Sequence, residues 1–324
     1  MAVLLGLPNE ALLGIFHCLP KSVKHPKPQA DLLNLSLTCK QLAPLAREVL
    51  FTAPILHPRK IDMLLATLLK YPDLQSKMRS LTVDASKIHG SWMVVDPGYL
   101  PRLNAEIVHI CYGIRRNSDL DEKVKQEYIQ VLQRKSGWFG NIISLILILL
   151  PNLSSLYLGG TQLCDNTFLQ SVSDQDPYPY RKMYGLHRIR VSPQLSAKLT
   201  FLELPIDLRL RGEAKGSLPN LFPELQHLIL PCHAIVRIPP KDVIPHKLRT
   251  LVLTRCHHPI GDWLNQVAPT EGTSFPNLRS LGVFWQCYES SWKIPLSLRN
   301  HMKSLDITCK SVLHCSRMAH CCYP

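Results

Sequence analysis

Leu225-Gln226-His227-Leu228-Ile229-Leu230 sets leucines at the first, fourth and sixth places of a hexamer. In an extended chain successive side chains alternate between faces, so Leu228 and Leu230 share one face while His227 and Ile229 take the other. The spacing returns as Leu153-Leu156-Leu158, Leu199-Leu202-Leu204, Leu248-Leu251-Leu253 and Leu278-Leu281-Val283, with Met78-Leu81-Val83 and Met302-Leu305-Ile307 as variants. The middle leucines stand at 156, 202, 228, 251, 281 and 305, so the last four steps are 26, 23, 30 and 24 residues. Such a period means stacking: each strand buries its leucines against the next unit, and no unit is stable alone.

These hexamers resemble leucine-rich repeats, which implies an α/β fold in which a parallel sheet runs along an irregular solenoid. The 46-residue step from Leu156 to Leu202 contains Leu186-His187-Arg188-Ile189-Arg190-Val191, strand-like but only 13 residues before Leu202 in register, so one of the two is expected to be a hairpin or insertion. Asp174 to Tyr184, with Pro177 and Pro179, reads as a surface loop. Ile61, Leu64, Leu65, Leu68 and Leu69 mark a helix stopped by Tyr71-Pro72, and Trp138 to Leu150 an apolar helix stopped by Pro151. Asp119 to Lys135 is charged and helical in pattern, while Asp84 to Asn117 carries no clear pattern.

Ahead of the repeats, Leu12, Ile15, Phe16 and Leu19 recur at helical spacing behind Pro8 and Glu10. Asp31 suits the cap of a second helix. Thr38 with Gln41 forms a capping-box pair for a third, carrying Leu42, Leu45, Ala46, Val49 and Leu50 on one stripe, unless Pro44 moves its start to about Ala43. Between the first two helices, Lys21 to Ala30 holds Pro26 and Pro28 among lysines and reads as a solvated loop without a binding role. So small a unit buries too little to use all its leucine internally, and some of that surface is expected to meet a partner.

In order, Leu7, Pro8, Glu10, Ile15, Leu19, Asp31, Leu32, Cys39 and Lys40 resemble the F-box pattern. The resemblance divides the chain into an F-box over residues 1–52 and a repeat domain over 53–324, similar to fungal F-box proteins with irregular leucine-rich repeats. It implies the substrate-recognition subunit of an SCF (Skp, cullin, F-box) ubiquitin ligase, bound to a Skp-type adaptor and through it to cullin. It also implies an adaptor contact through Leu7, Pro8, Ile15 and Leu19, supported by Cys39 and Leu42. The unknown protein target is expected on the concave face of the sheet, where Tyr157, Phe201, Glu203, His227, Ile229 and Val252 point away from the leucines. Two other readings stand beside it: an interaction scaffold without a ligase role, and a basic nucleic-acid-associated protein.

Composition narrows the classes. Of 324 residues, 46% are hydrophobic, enough for a large core, and 37 Lys+Arg against 24 Asp+Glu leave a formal charge of +13, which favours acidic partners. The basic residues are scattered without a nucleic-acid motif, so a dedicated reader of DNA or RNA is not expected. Eleven cysteines without a secretory pattern at the N-terminus point to reduced thiols and a cytoplasmic or nuclear setting. Ile142 to Leu150 is far shorter than the ~20 apolar residues of a membrane helix, and Pro324 is not a usual last residue for prenylation of Cys321.

Cys232-His233, Cys256-His257-His258, Cys287 and the tail cysteines invite a metal reading, but ligand pairs of the Cys-x-x-Cys kind are lacking. The repeat offers a simpler account for Cys256, three residues beyond Leu253, where leucine-rich repeats carry Asn or Cys. No nucleophile elbow, zincin helix or P-loop occurs. The chain is accordingly expected to be a non-enzyme without cofactor or metal.

Overall fold

The computed structural model describes residues 7–18, 27–40, 42–57, 60–83, 138–159, 193–205, 218–235, 238–256, 260–267, 275–286 and 308–314, with isolated helical positions between 108 and 129. Helices α1 (Asn9–Cys18), α2 (Lys27–Thr38) and α3 (Ala43–Thr52) open the chain. Leu12 and Phe16, one turn apart on α1, close a small core with Leu32 of α2 and with Leu42, Leu45, Ala46 and Val49 at and along α3.

Helix boundaries in this module depart from the sequence expectations. Helix α2 begins at Lys27, so Asp31 lies inside it and the last four residues of the expected 21–30 loop are helical. Pro28 is compatible with that start because first-turn N–H groups have no acceptor within the helix. Helix α3 is preceded by Leu42 with no side-chain cap bond, and Pro44 occupies its first turn; Thr38, expected to cap it, is the last residue of α2, and Gln41 lies outside the described residues. A proline in that turn sacrifices no hydrogen bond and fixes a helical φ, which sets the start without a polar cap.

Strand and helix then alternate: β1 (Ile55–Leu56), α4 (Ile61–Lys70), α5 (Asp73–Lys77), β2 (Ser80–Val83), α6 (Trp138–Leu149), β3 (Ser155–Tyr157), α7 (Pro193–Lys198) and β4 (Phe201–Glu203). After them come α8 (Leu218–Leu221), β5 (His227–Pro231), a 3-10 turn at Cys232–Ala234, α9 (Pro240–Val243), β6 (Thr250–Cys256), α10 (Ile260–Val267), β7 (Ser280–Gln286) and β8 (Thr308–His314). The described strands join one eight-stranded sheet whose order follows the chain, and every neighbouring pair among them is parallel. The molecule is thus an α/β protein with a parallel sheet, as its leucine spacing predicts.

The register explains the period. Leu81, Leu156, Leu202, Leu228, Leu251 and Leu281 stand opposite one another from β2 to β7, and all are buried. Burial of each leucine is worth about 1.5–3 kcal/mol relative to exposure, and Leu228→Ala would cost about 2–5 kcal/mol through the cavity it leaves. Beside this row the buried faces of α4, α6 and α10 complete the large core. Trp263 of α10 reaches into it and donates its indole N–H to the Ile238 carbonyl at 2.7 Å, satisfying a buried polar pair.

The helical module and the sheet are joined through backbone. The N–H groups of Arg79 and Thr82 donate to the carbonyls of Thr52 and Pro54 at 2.8 and 3.1 Å, and Phe51 packs against the large core. At the other end β6 carries a bulge: Leu253 pairs with Val283 but Cys256 pairs with Trp285, and Arg255 takes a positive φ of 53°. Strict alternation would aim Arg255 inward. The bulge exposes Arg255 and turns Cys256 into the core instead, where a thiol costs far less to desolvate than a guanidinium.

In β8, Cys309 stands opposite Leu281, so the register place expected for Leu305 belongs to a residue four further on. Met302–Ile307 lies outside the described residues. So do Leu186–Val191, Asp174–Tyr184, Leu19, residues 21–26 and most of 119–135.

Candidate functional site

On the sheet face turned away from the leucines, two rows of side chains run across the strands. One row is Ser80, Ser155, Phe201, His227, Thr250 and Ser280; the other is Thr82, Tyr157, Glu203, Ile229, Val252 and Gly282. Tyr157, Phe201 and His227 are half-buried and form a continuous aromatic run. The Tyr157 and Phe201 ring centroids lie 4.3 Å apart with 30° between the planes, and Phe201 and His227 follow at 6.0 Å and 28°. Small neighbours leave room for this stack: Phe201 is flanked in register by Ser155, and His227 by Thr250.

Charges sit at both ends of the run. The Glu203 carboxylate lies against Gly159, where a Cβ would overlap it, and so is held close to the Tyr157 phenol. Burial, and then the charge of Glu203, raise the Tyr157 pKa above its ordinary 10.0, partly offset by a hydrogen bond with Ser155. His227 titrates below its ordinary 6.5, first because of burial and then because of Arg249. The imidazole is therefore neutral at pH 7.

The expected target-binding residues separate into two kinds. Tyr157, Phe201, Glu203, His227 and Val252 are part-exposed on this face. Ile229, expected among the exposed anchors, is only 5% exposed, because Glu203 and Val252 flank it in the same row. Ile229 is therefore not a free anchor. Next to Val252, Gly282 leaves a gap into which the Phe284 ring leans.

Sequence reasoning missed a pair of arginines at one edge of this face. Arg249 and Arg279 are exposed, immediately precede the adjacent strands β6 and β7, and are linked by the Arg279 N–H donating to the Arg249 carbonyl at 2.8 Å. Both follow the first leucine of a hexamer, as Arg79 follows Met78, and that shared repeat position was the available signal.

The helical module presents a different surface. Leu7 and Ile15 are 36% and 42% exposed, and Leu33 and Leu37 on α2 are 51% and 75% exposed. Pro8 is exposed and its carbonyl accepts the first helical N–H, from Leu12, at 3.1 Å. Cys39 is half-buried. Leu42, expected beside the adaptor contact, is 2% exposed and belongs to the module's own core, so it can only brace such a contact. Leu33 and Leu37 were not anticipated, although their i, i+4 spacing opposite Leu32 places both on the outer side of α2.

Cys232 and Cys256, singled out for their histidine neighbours, are buried thiols side by side in the core. Burial and then the neighbouring Cys232 push the Cys256 thiol well above its usual range, which holds it protonated. Among the described residues no three His, Cys, Asp or Glu side chains gather as a metal site. No helix among them is long and apolar enough to cross a membrane. Compared with known proteins, the chain matches no family model, no curated protein sequence and no solved structure.

Proposed function

We propose that this chain is the substrate-recognition subunit of an SCF-type ubiquitin ligase. The helical module acts as an F-box that docks on a Skp-type adaptor and through it on cullin. The sheet domain acts as an irregular leucine-rich-repeat solenoid that holds a protein target on its outward face. The observation that carries this reading is the surface of the module: with its own core already closed, it still leaves Leu7, Ile15, Leu33 and Leu37 in water. Exposed apolar side chains on a unit this small support a partner that covers them.

Catalysis in this reading belongs to other subunits, and the chain contributes proximity by fixing target and ligase in one assembly. The sequential sheet supports that role, since each added strand extends one regular surface. The test is co-purification of the full chain with a Skp-type adaptor, for the wild type and for Leu7→Ala/Pro8→Ala/Ile15→Ala. Losing two apolar contacts of about 1.5–3 kcal/mol each weakens binding by about two to four powers of ten. Retention of the adaptor at wild-type yield by a folded triple variant, or no adaptor binding by the wild type, defeats the proposal.

A further inference from the structure

We infer that the outward face from β3 to β7 binds an extended acidic peptide with one aromatic or large aliphatic residue. That residue packs on Tyr157, Phe201 and His227, and the peptide carboxylates lie on Arg249 and Arg279. This rests on the proposed function only for the idea that the sheet face holds the target. What it adds is the chemistry of the segment held.

The arginines carry the argument for charge. Lys77 and Lys247 on this chain are each matched by a carboxylate, Glu48 at 3.2 Å and Glu224 at 2.6 Å. Arg249 and Arg279 make no ion pair among the described residues, and their backbones lie side by side just before β6 and β7. Arg279 uses one guanidinium N–H on the Pro276 carbonyl at 3.1 Å, which orients it and leaves its other donors available. Two exposed arginines whose backbones lie side by side concentrate positive charge at this edge, and a ligand bearing carboxylates offsets it. The surplus of +13 over the whole chain attracts such a ligand at longer range.

The aromatic run lies beside this pair, since the N–H groups of Arg249 and Thr250 donate at 2.8 and 3.0 Å to the carbonyl of Gln226, the residue before His227, and His227 stands opposite Thr250. From Phe201 on β4 to Arg279 just before β7 there are three strand spacings, about 14 Å, which an extended peptide covers with about four residues. The bound segment therefore has its large apolar residue about three or four positions from its acidic ones. Glu203 beside Tyr157 makes the opposite end of the face negative, so the residue beyond the apolar one is neutral or basic. The same carboxylate argues against single-stranded nucleic acid, which carries a phosphate at every step and cannot avoid Glu203 while stacking on Tyr157.

The experiment uses fluorescein-labelled 12-residue peptides and the full chain, read by anisotropy. One peptide carries a tryptophan with two Glu-Asp pairs beginning four residues later; controls replace the acids by Gln/Asn, the acids by Lys, or the tryptophan by Ala. An oligo-uridine strand is the nucleic-acid arm. The acidic tryptophan peptide is expected to bind at least tenfold tighter than the Gln/Asn or Ala controls. Arg249→Glu/Arg279→Glu, on exposed positions and so with unchanged melting temperature, is expected to reverse the order of the acidic and lysine peptides. Equal binding of acidic and Gln/Asn peptides to the wild type, tighter binding of oligo-uridine, or an unaltered order in the charge-reversed chain overturns the inference. Adaptor retention is scored on the same preparations. Retention without charge-dependent peptide binding sinks the peptide inference alone, and the reverse result sinks the ligase reading alone.

Discussion

Phe201 stacks on Tyr157 across adjacent parallel strands although the two are not register partners. Tyr157 stands opposite Glu203 and Phe201 opposite Ser155, yet the ring centroids are 4.3 Å apart. The diagonal contact exists because Ser155 is too small to fill the place beside Phe201, whose ring leans one step along the strand. Diagonal neighbours on a sheet lie within reach of aromatic side chains.

Such a pair contributes about 0.5–1.5 kcal/mol beyond the area it buries. A double-mutant cycle with Tyr157→Leu and Phe201→Leu, followed by denaturant unfolding, is expected to return a coupling energy in that range. Strict additivity of the two single changes would show that the rings touch without stabilising each other.

The Tyr157 phenol offers a direct readout of Glu203. Its folded pKa is raised, so the stability it contributes is present below the unfolded value of 10.0 and is lost as pH rises through the folded value. Glu203→Gln removes the second cause of the shift and leaves the first, burial. The pKa is therefore expected to fall toward 10.0 without reaching it, measured by ultraviolet titration as a difference against Tyr157→Phe. Gly159→Ala, which pushes a methyl group into the carboxylate, is expected to displace Glu203 and move the same titration.

His227 gives the opposite slope. Its folded pKa lies below the unfolded value of 6.5, so its contribution is complete above that value and is lost as pH falls from about 6.5 to the folded pKa. The groups around it, Phe201 on β4, Thr250 on β6 and the Arg249 guanidinium, supply no carboxylate to stabilise an imidazolium. Melting temperatures at pH 7.5 and pH 5 are expected to differ less in His227→Gln than in the wild type. An identical acid limb in both proteins would remove His227 from the account.

On the helical module, core and surface leucines are expected to behave differently. Leu12→Ala empties a fully buried site and should cost about 2–5 kcal/mol, whereas Leu37→Ser should change stability by about 0.5 kcal/mol or less. Thermal unfolding of both variants decides the matter, and a large loss from Leu37→Ser would mean that this side chain is covered by another part of the chain.

The order of leucines was enough to determine the strands of the sheet from β2 to β7, their inward faces and their parallel succession. Those features follow from alternation along an extended chain, which is local. The start of α2 was misread because proline was weighed as a breaker without regard to its place in the first turn. The sequence also placed Tyr157, Phe201 and His227 on one outward face, since parity alone decides that. What only the tertiary structure decided is which outward residues meet water and which charges stand together. Ile229 and Val252 have the same parity and similar chemistry, but Ile229 is covered and Val252 is not. Arg249 and Arg279 are neighbours across 30 residues of chain only because the register of β6 and β7 brings them side by side. Burial and electrostatic pairing depend on groups far apart in sequence, and strand register is what sets their distances.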